Sequence, residues 1–191
     1  MILVVGLGNP GPRYAETRHN AGFQVIDRLV QRAGGASFRE KFHGHFAQVT
    51  VDGTPLSLLK PMTFMNESGR SVQAAVQHFK LPLDALLVAH DELDLPFAEV
   101  RLKQGGGDAG NRGIRSISGA IGPNYARLRV GIGRPPSEFR GDVADFVLQA
   151  FSLAERDEMH AALDRAADAV VLVATQGISA AMNATNQRKS R

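Results

Sequence analysis

Met1-Ile2-Leu3-Val4-Val5-Gly6-Leu7-Gly8-Asn9-Pro10-Gly11-Pro12-Arg13-Tyr14-Ala15-Glu16-Thr17-Arg18-His19-Asn20 begins the chain. The first five residues are an unbroken apolar run, the pattern of a buried strand. Gly6 ends that run and a polar loop follows, the place where α/β folds put their chemistry. The loop carries a carboxamide at Asn9, a phenol at Tyr14 and an imidazole at His19. His19 is the side chain there whose ordinary pKa, about 6.5, suits proton transfer near neutral pH.

The same alternation of strand and helix continues along the chain. Phe23, Ile26, Leu29 and Val30 repeat at helical spacing over Ala21 to Ala33, and Gly34-Gly35 stops that helix. Phe46 to Val51 and Leu56 to Leu59 flank Asp52-Gly53, a hairpin signal. A helix is expected over Ser68 to Phe79, a strand over Ala85 to Ala89 and a short strand over Val100 to Leu102. The Gly105–Gly110 loop precedes a helix from about Ile114 to Ile121, and Leu128 to Ile132 reads as a strand. Ser152 and Glu155 make a capping-box pattern before a helix whose Met159, Leu163, Ala166, Val170 and Val173 share one face. These elements predict an α/β fold: a single domain with a mixed, mostly parallel twisted sheet and helices on both faces. Residues 1–191 are expected to act as one catalytic domain, helical from about residue 152, with a frayed tail over 187–191.

The bulk composition narrows the function class. The chain's 191 residues, 43% of them hydrophobic and 21% charged, suffice for a globular protein with its own core. With no cysteine, disulfides and thiolate chemistry are excluded. No apolar run reaches the length of a membrane span. Met1 leads directly into a strand without a basic segment or cleavage site, so a cytoplasmic protein is expected. Residues 101–140 hold eight basic side chains against Asp108 and Glu138, a local charge of +6 in a chain whose total is +3. That asymmetry reads either as a docking surface for a polyanion such as nucleic acid or as a set of solvated edges.

Three polar clusters follow predicted strands: Asn9 to His19, Lys60 to Gly69, and His90 to Asp94. If those strands are neighbours, an imidazole, a carboxylate and two carboxamides converge on one sheet edge. The chemistry implied is water activation, with His19 as base, a carboxylate fixing its tautomer and asparagine amides holding a developing oxyanion. No Gly-x-Ser-x-Gly elbow is present to supply a nucleophile. Each residue also has a plainer explanation: Asn9 as turn chemistry, Asn66 as a helix cap, Phe64 and Met65 as core, His90 as a strand end. Gly6, Gly8 and Gly11 match a dinucleotide fingerprint, but Pro10 and Pro12 delay the helix that should receive the pyrophosphate. The Gly105–Gly110 loop lacks the Gly-Lys-Ser/Thr of a P-loop. His43 and His45 are expected on one face of a strand with no third ligand, so no metal site is assigned.

Three ordered segments, Gly6–Phe23, Lys60-Pro61-Met62-Thr63-Phe64-Met65-Asn66-Glu67-Ser68-Gly69 and His90-Asp91-Glu92-Leu93-Asp94-Leu95-Pro96, resemble the bacterial-type peptidyl-tRNA hydrolases. The resemblance runs from Met1 to about Leu148. It implies hydrolysis of the ester between a peptide and tRNA, with peptidyl-tRNA, through its acceptor end and nascent peptide, as partner. It also implies that His19 matches the catalytic base and Asp91 the carboxylate that orients it. Asn9 matches the residue that helps select N-blocked substrates. Tyr14, Phe64 and Asn66 match substrate contacts, with Met65 in the same crevice, and Lys103 and Arg129 match positions linked to tRNA phosphates. The resemblance further implies a monomer without a metal, and no cofactor, obligate protein partner or membrane association is expected for this chain. The chain departs from the family at Asn111-Arg112-Gly113, where His-Asn-Gly is usual. Either Arg112 takes the contact of the usual asparagine or Asn111 swings into its place. A non-catalytic RNA-binding relative and a nicotinamide-dependent oxidoreductase are the other function classes considered.

Overall fold

The fold is seen in a computed structural model that describes residues 1–187. The apolar opening run forms β1 (Leu3–Gly6), buried throughout. It lies between β4 (Thr54–Pro61) and β5 (Leu86–Glu92), parallel to both. With β2 (Arg39–Lys41), β3 (Gly44–Val51), β6 (Val100–Gln104) and β7 (Ala126–Gly131), the sheet has seven strands in the order β2-β3-β4-β1-β5-β7-β6. β5 and β7 pair in parallel, whereas β2–β3, β3–β4 and β6–β7 are antiparallel. The three strands that precede the polar clusters are therefore adjacent and parallel, so their ends meet at one edge.

Strand alternation divides the core in two. Val4, Leu58, Leu87, Ala89, Leu128 and Val130 face one layer, which contains α1 (Ala21–Arg32) and the long α5 (Leu153–Gln176). Leu3, Val5, Leu59, Leu86 and Val88 face the other, which contains α2 (Ser68–Phe79) and α3 (Arg112–Ile121). On α5 the expected stripe of Met159, Leu163, Ala166, Val170 and Val173 is buried, and Ser152 and Glu155 form the reciprocal cap. α4 (Val143–Val147) precedes α5, and α6 (Ile178–Thr185) follows Gly177.

Several boundaries differ from expectation. β5 starts at Leu86 because Leu83–Ala85 form a 3₁₀ turn, and it continues through His90, Asp91 and Glu92. Pairing explains the extension: β7 matches β5 as far as Glu92, whereas β1 stops at Ala89. α3 starts two residues early because the Asn111 side chain caps it. β2 and α4 are additional elements, too short for a periodic signal. His43 is not on a strand face with His45; it occupies the β2–β3 turn with φ of 53°. No helix opens at Gly11, as a dinucleotide site would require; turns lead to a 3₁₀ turn at Arg18–Asn20. Of the tail expected to fray, residues 188–191 lie outside the described residues.

Candidate active site

His19 sits in the 3₁₀ turn just before α1. That helix approaches the sheet closely: a Cβ on Gly22 would stand 2.3 Å from the Ala89 carbonyl oxygen and 2.4 Å from the Leu7 nitrogen. The approach brings His19 over the end of β5, where its Nδ1 lies 2.8 Å from Asp91 Oδ2. Asp91 is buried and His19 is half-buried. Burial pulls the imidazole pKa down, but the charge and hydrogen bond of Asp91 outweigh it, while Arg112 opposes them. The net result is a His19 pKa above its ordinary value of 6.5.

The neighbours of His19 hold this turn. The Arg18 guanidinium donates to the Ala150 carbonyl at 2.6 Å and to Glu155 at 2.8 Å, and stacks 4.6 Å from the Phe146 ring. Asn20 grips the backbone of Asn9: its Oδ1 accepts from Asn9 N–H at 2.8 Å and its Nδ2 donates to Asn9 O at 3.0 Å. The Asn9 Oδ1 in turn accepts the Met65 N–H at 2.9 Å. Its Nδ2 is thereby left as a donor for another partner.

A groove of about 480 Å³ opens over these groups. It brings together Asn9, His19, Phe64, Met65, Asn66, Asp91, Asn111 and Arg112 of the residues expected from the sequence. Phe64 is 60% exposed, an unusual position for an aromatic ring unless something packs on it. Val143, Val147 and Leu148 line the groove as well, adding apolar surface that the sequence reading did not assign. Asn66 makes no capping bond to the helix after it. Asn111 Nδ2 donates to Asp91 Oδ1 at 3.1 Å, and its Oδ1 accepts from Gly113 and Ile114 N–H. Arg112 pairs with no acid among the described residues.

Tyr14, Lys103 and Arg129 lie outside the groove. Tyr14 is half-buried beneath Arg13. Arg129 pairs in register with His90 and Arg101, and Lys103 with Arg127, so these five side chains share one sheet face, opposite Asp91. Arg127 is buried and donates to the carbonyls of Gly106, Gly107 and Pro123, fixing the glycine-rich loop rather than meeting solvent. Arg129 stands 4.0 Å from the buried Glu92, whose pKa is raised chiefly by burial. His90 is buried and bonds the Asp91 carbonyl at 2.7 Å; burial lowers its pKa to about 4, so it is neutral near pH 7. Arg18, Asn20 and Arg127 were legible only as charge or loop polarity, because their partners are backbone carbonyls and a carboxylate distant in sequence.

No cluster of three or more metal-ligating side chains occurs among the described residues. No helix among them is long and apolar enough to cross a membrane.

A family model described as peptidyl-tRNA hydrolase matches residues 3–191. The chain belongs to the peptidyl-tRNA hydrolase family. It is 54% identical over 190 residues to the peptidyl-tRNA hydrolase of Sorangium cellulosum, covering 98% of this chain and 85% of that one. It is 48% identical over 187 residues to that of Citrifermentans bemidjiense, covering 97% and 98%. The crystal structure of peptidyl-tRNA hydrolase from Acinetobacter baumannii superposes with a TM-score of 0.89 at 42% identity, covering 99% of this chain and 96% of that one. The mixed seven-stranded sheet with helices on both faces is thus the fold of the peptidyl-tRNA hydrolases.

Proposed function

We propose that His19 is the general base, and Asp91 its orienting carboxylate, for hydrolysis of the ester joining a peptide to the 3′-terminal ribose of tRNA. Family membership makes the chain a peptidyl-tRNA hydrolase. The 2.8 Å contact between His19 and Asp91 at an open groove carries the assignment of roles.

With Asp91 accepting from Nδ1–H, the neutral ring keeps its lone pair on Nε2. Nε2 takes a proton from a water as that water's oxygen attacks the ester carbonyl carbon. Asp91 stabilises the resulting imidazolium. The Asn9 Nδ2–H, left over once Oδ1 is tied to Met65, donates to the substrate carbonyl as its oxygen becomes negative. The tetrahedral intermediate then expels the 3′ oxygen, which takes the proton back from imidazolium. Free peptide and free tRNA result, which returns drop-off products to translation.

Phe64, Met65 and Asn66, with Val143 and Leu148 lining the same groove, suit the peptide. Arg112 is the groove's uncommitted cation and suits the acceptor end, whereas Asn111 is already bonded. Lys103 and Arg129 are assigned to tRNA phosphates, consistent with the cationic face of β6 and β7, and Tyr14 is assigned as a substrate contact. The chain acts as one catalytic domain, as a cytoplasmic monomer without metal, cofactor or obligate protein partner. Incubating the purified protein with N-acetylaminoacyl-tRNA and with unblocked aminoacyl-tRNA tests the function. Rapid cleavage of the blocked ester alone is expected; equal cleavage of both, or of neither, contradicts it.

A further inference from the structure

Asp91 has two carboxylate oxygens, and different elements hold them. Oδ2 faces His19 Nδ1 at 2.8 Å, and Oδ1 accepts from Asn111 Nδ2 at 3.1 Å. A carboxyl group turns readily about its last torsion, so one partner alone does not fix its plane. Asn111 is itself fixed: its Oδ1 accepts the first free N–H groups of α3, from Gly113 at 3.0 Å and Ile114 at 3.1 Å. The loop leading to it is braced as well. Asn111 N–H donates to Asp108 O at 2.8 Å, Asp108 Oδ1 accepts from Gly110 N–H at 2.8 Å, and Arg127 holds Gly106 and Gly107.

We propose that Asn111 is a positioning residue: it sets the plane of the Asp91 carboxylate so that Oδ2 meets His19, and it anchors that setting to the start of α3. This rests on the roles proposed above for His19 and Asp91. It assigns Asn111 away from the substrate, because its oxygen accepts two helix N–H groups and its amide donates to Asp91, to Oδ1 at 3.1 Å and to the backbone carbonyl at 3.4 Å. Arg112, the first residue of α3, is left to face the substrate.

Two substitutions separate positioning from helix capping. Asn111→Ser and Asn111→Asp both keep a good N-cap, so each fold should melt within a few degrees of the parent. Serine is too short to reach Asp91, and aspartate places a second carboxylate against it. The charged groups around His19 are Asp91 on β5 and Arg112 on α3. Glu92 and the neutral His90 flank Asp91, Arg18 is engaged with Glu155, and Asp142 and Asp145 cap α4.

The test measures kcat and KM on N-acetylaminoacyl-tRNA across pH, together with a 15N–1H NMR titration of His19, which needs no turnover. With Asn111→Ser, kcat should fall about tenfold with KM little changed, a share of what base catalysis supplies. With Asn111→Asp, kcat should fall at least as far, and the His19 midpoint should rise by about one unit through the added negative charge. Parental kcat with an unmoved His19 titration in both variants overturns the proposal. A rise in KM at parental kcat also overturns it, because that is the behaviour of a substrate contact. If the parent protein is inactive, the functional assignment fails, while the titration still decides the position of Asn111.

Discussion

At His19 burial and two neighbouring charges set the proton affinity of one ring. Burial disfavours the imidazolium, Asp91 favours it by charge and hydrogen bond, and Arg112 disfavours it by charge. The sum lies above 6.5, and a base must be neutral to accept a proton. The rate should therefore rise with pH through a midpoint above 6.5, read from kcat/KM profiles. Asp91→Asn removes the favourable charge and leaves burial, so the midpoint should move below 6.5 while the plateau rate falls. An unchanged midpoint would separate Asp91 from His19. Arg112→Gln should move the midpoint up, because it removes a repulsive charge. That His19, Asp91 and Asn9 meet at one groove was legible in the sequence because long ordered segments surround them. Which of Asn111 and Arg112 is already bonded was not. Neighbours in sequence point to different partners once a helix begins between them, and only the cap shows which side chain is committed.

At the scale of elements, the site depends on α1 meeting β1 and β5 backbone to backbone. Gly22→Ala puts a methyl group 2.3 Å from the Ala89 carbonyl, so the helix must shift. A loss of about 2 kcal/mol is expected in urea unfolding, as for overpacked cores. No loss would mean the helix has room to move. Arg18 joins the His19 turn to the segment that starts α5, through the Ala150 carbonyl and Glu155. Arg18→Ala removes charge-assisted hydrogen bonds to the Ala150 carbonyl and to half-buried Glu155, and about 2 kcal/mol should be lost. Retained stability would make this contact incidental. The periodic elements were readable: the hairpin, α1, α2 and the α5 stripe all carry strong patterns. β2 and α4 were not, since three and five residues hold no complete repeat. The end of β5 was misplaced because polar His90, Asp91 and Glu92 look like a loop until β7 is seen to pair with them.

For the whole molecule, the excess positive charge of residues 101–140 resolves into separate tasks. Arg127 is internal, Arg112 faces the groove, and Arg101, Lys103 and Arg129 share one sheet face. The excess was readable from composition but this partition was not, because strand register determines which cations stand together. Affinity for substrate should weaken as salt rises, and Lys103→Ala and Arg129→Ala should each raise KM with kcat nearly unchanged. A salt-independent KM would remove this face from tRNA docking. Global stability carries its own signature at His90. Its folded pKa of about 4 lies below the ordinary 6.5, so across that window the unfolded chain binds a proton that the folded chain lacks. Stability should therefore fall as pH drops through it, and His90→Asn, which cannot charge, should flatten that part of the profile in urea melts.

The most direct measurement is single-turnover cleavage of N-acetylaminoacyl-tRNA by His19→Ala, with tRNA affinity determined on the same preparation. Base catalysis by His19 predicts a rate lower by about 10³, within the range general bases supply, and affinity within about twofold of the parent. A rate within tenfold of the parent, at unchanged affinity, would place the base elsewhere and contradict the mechanism.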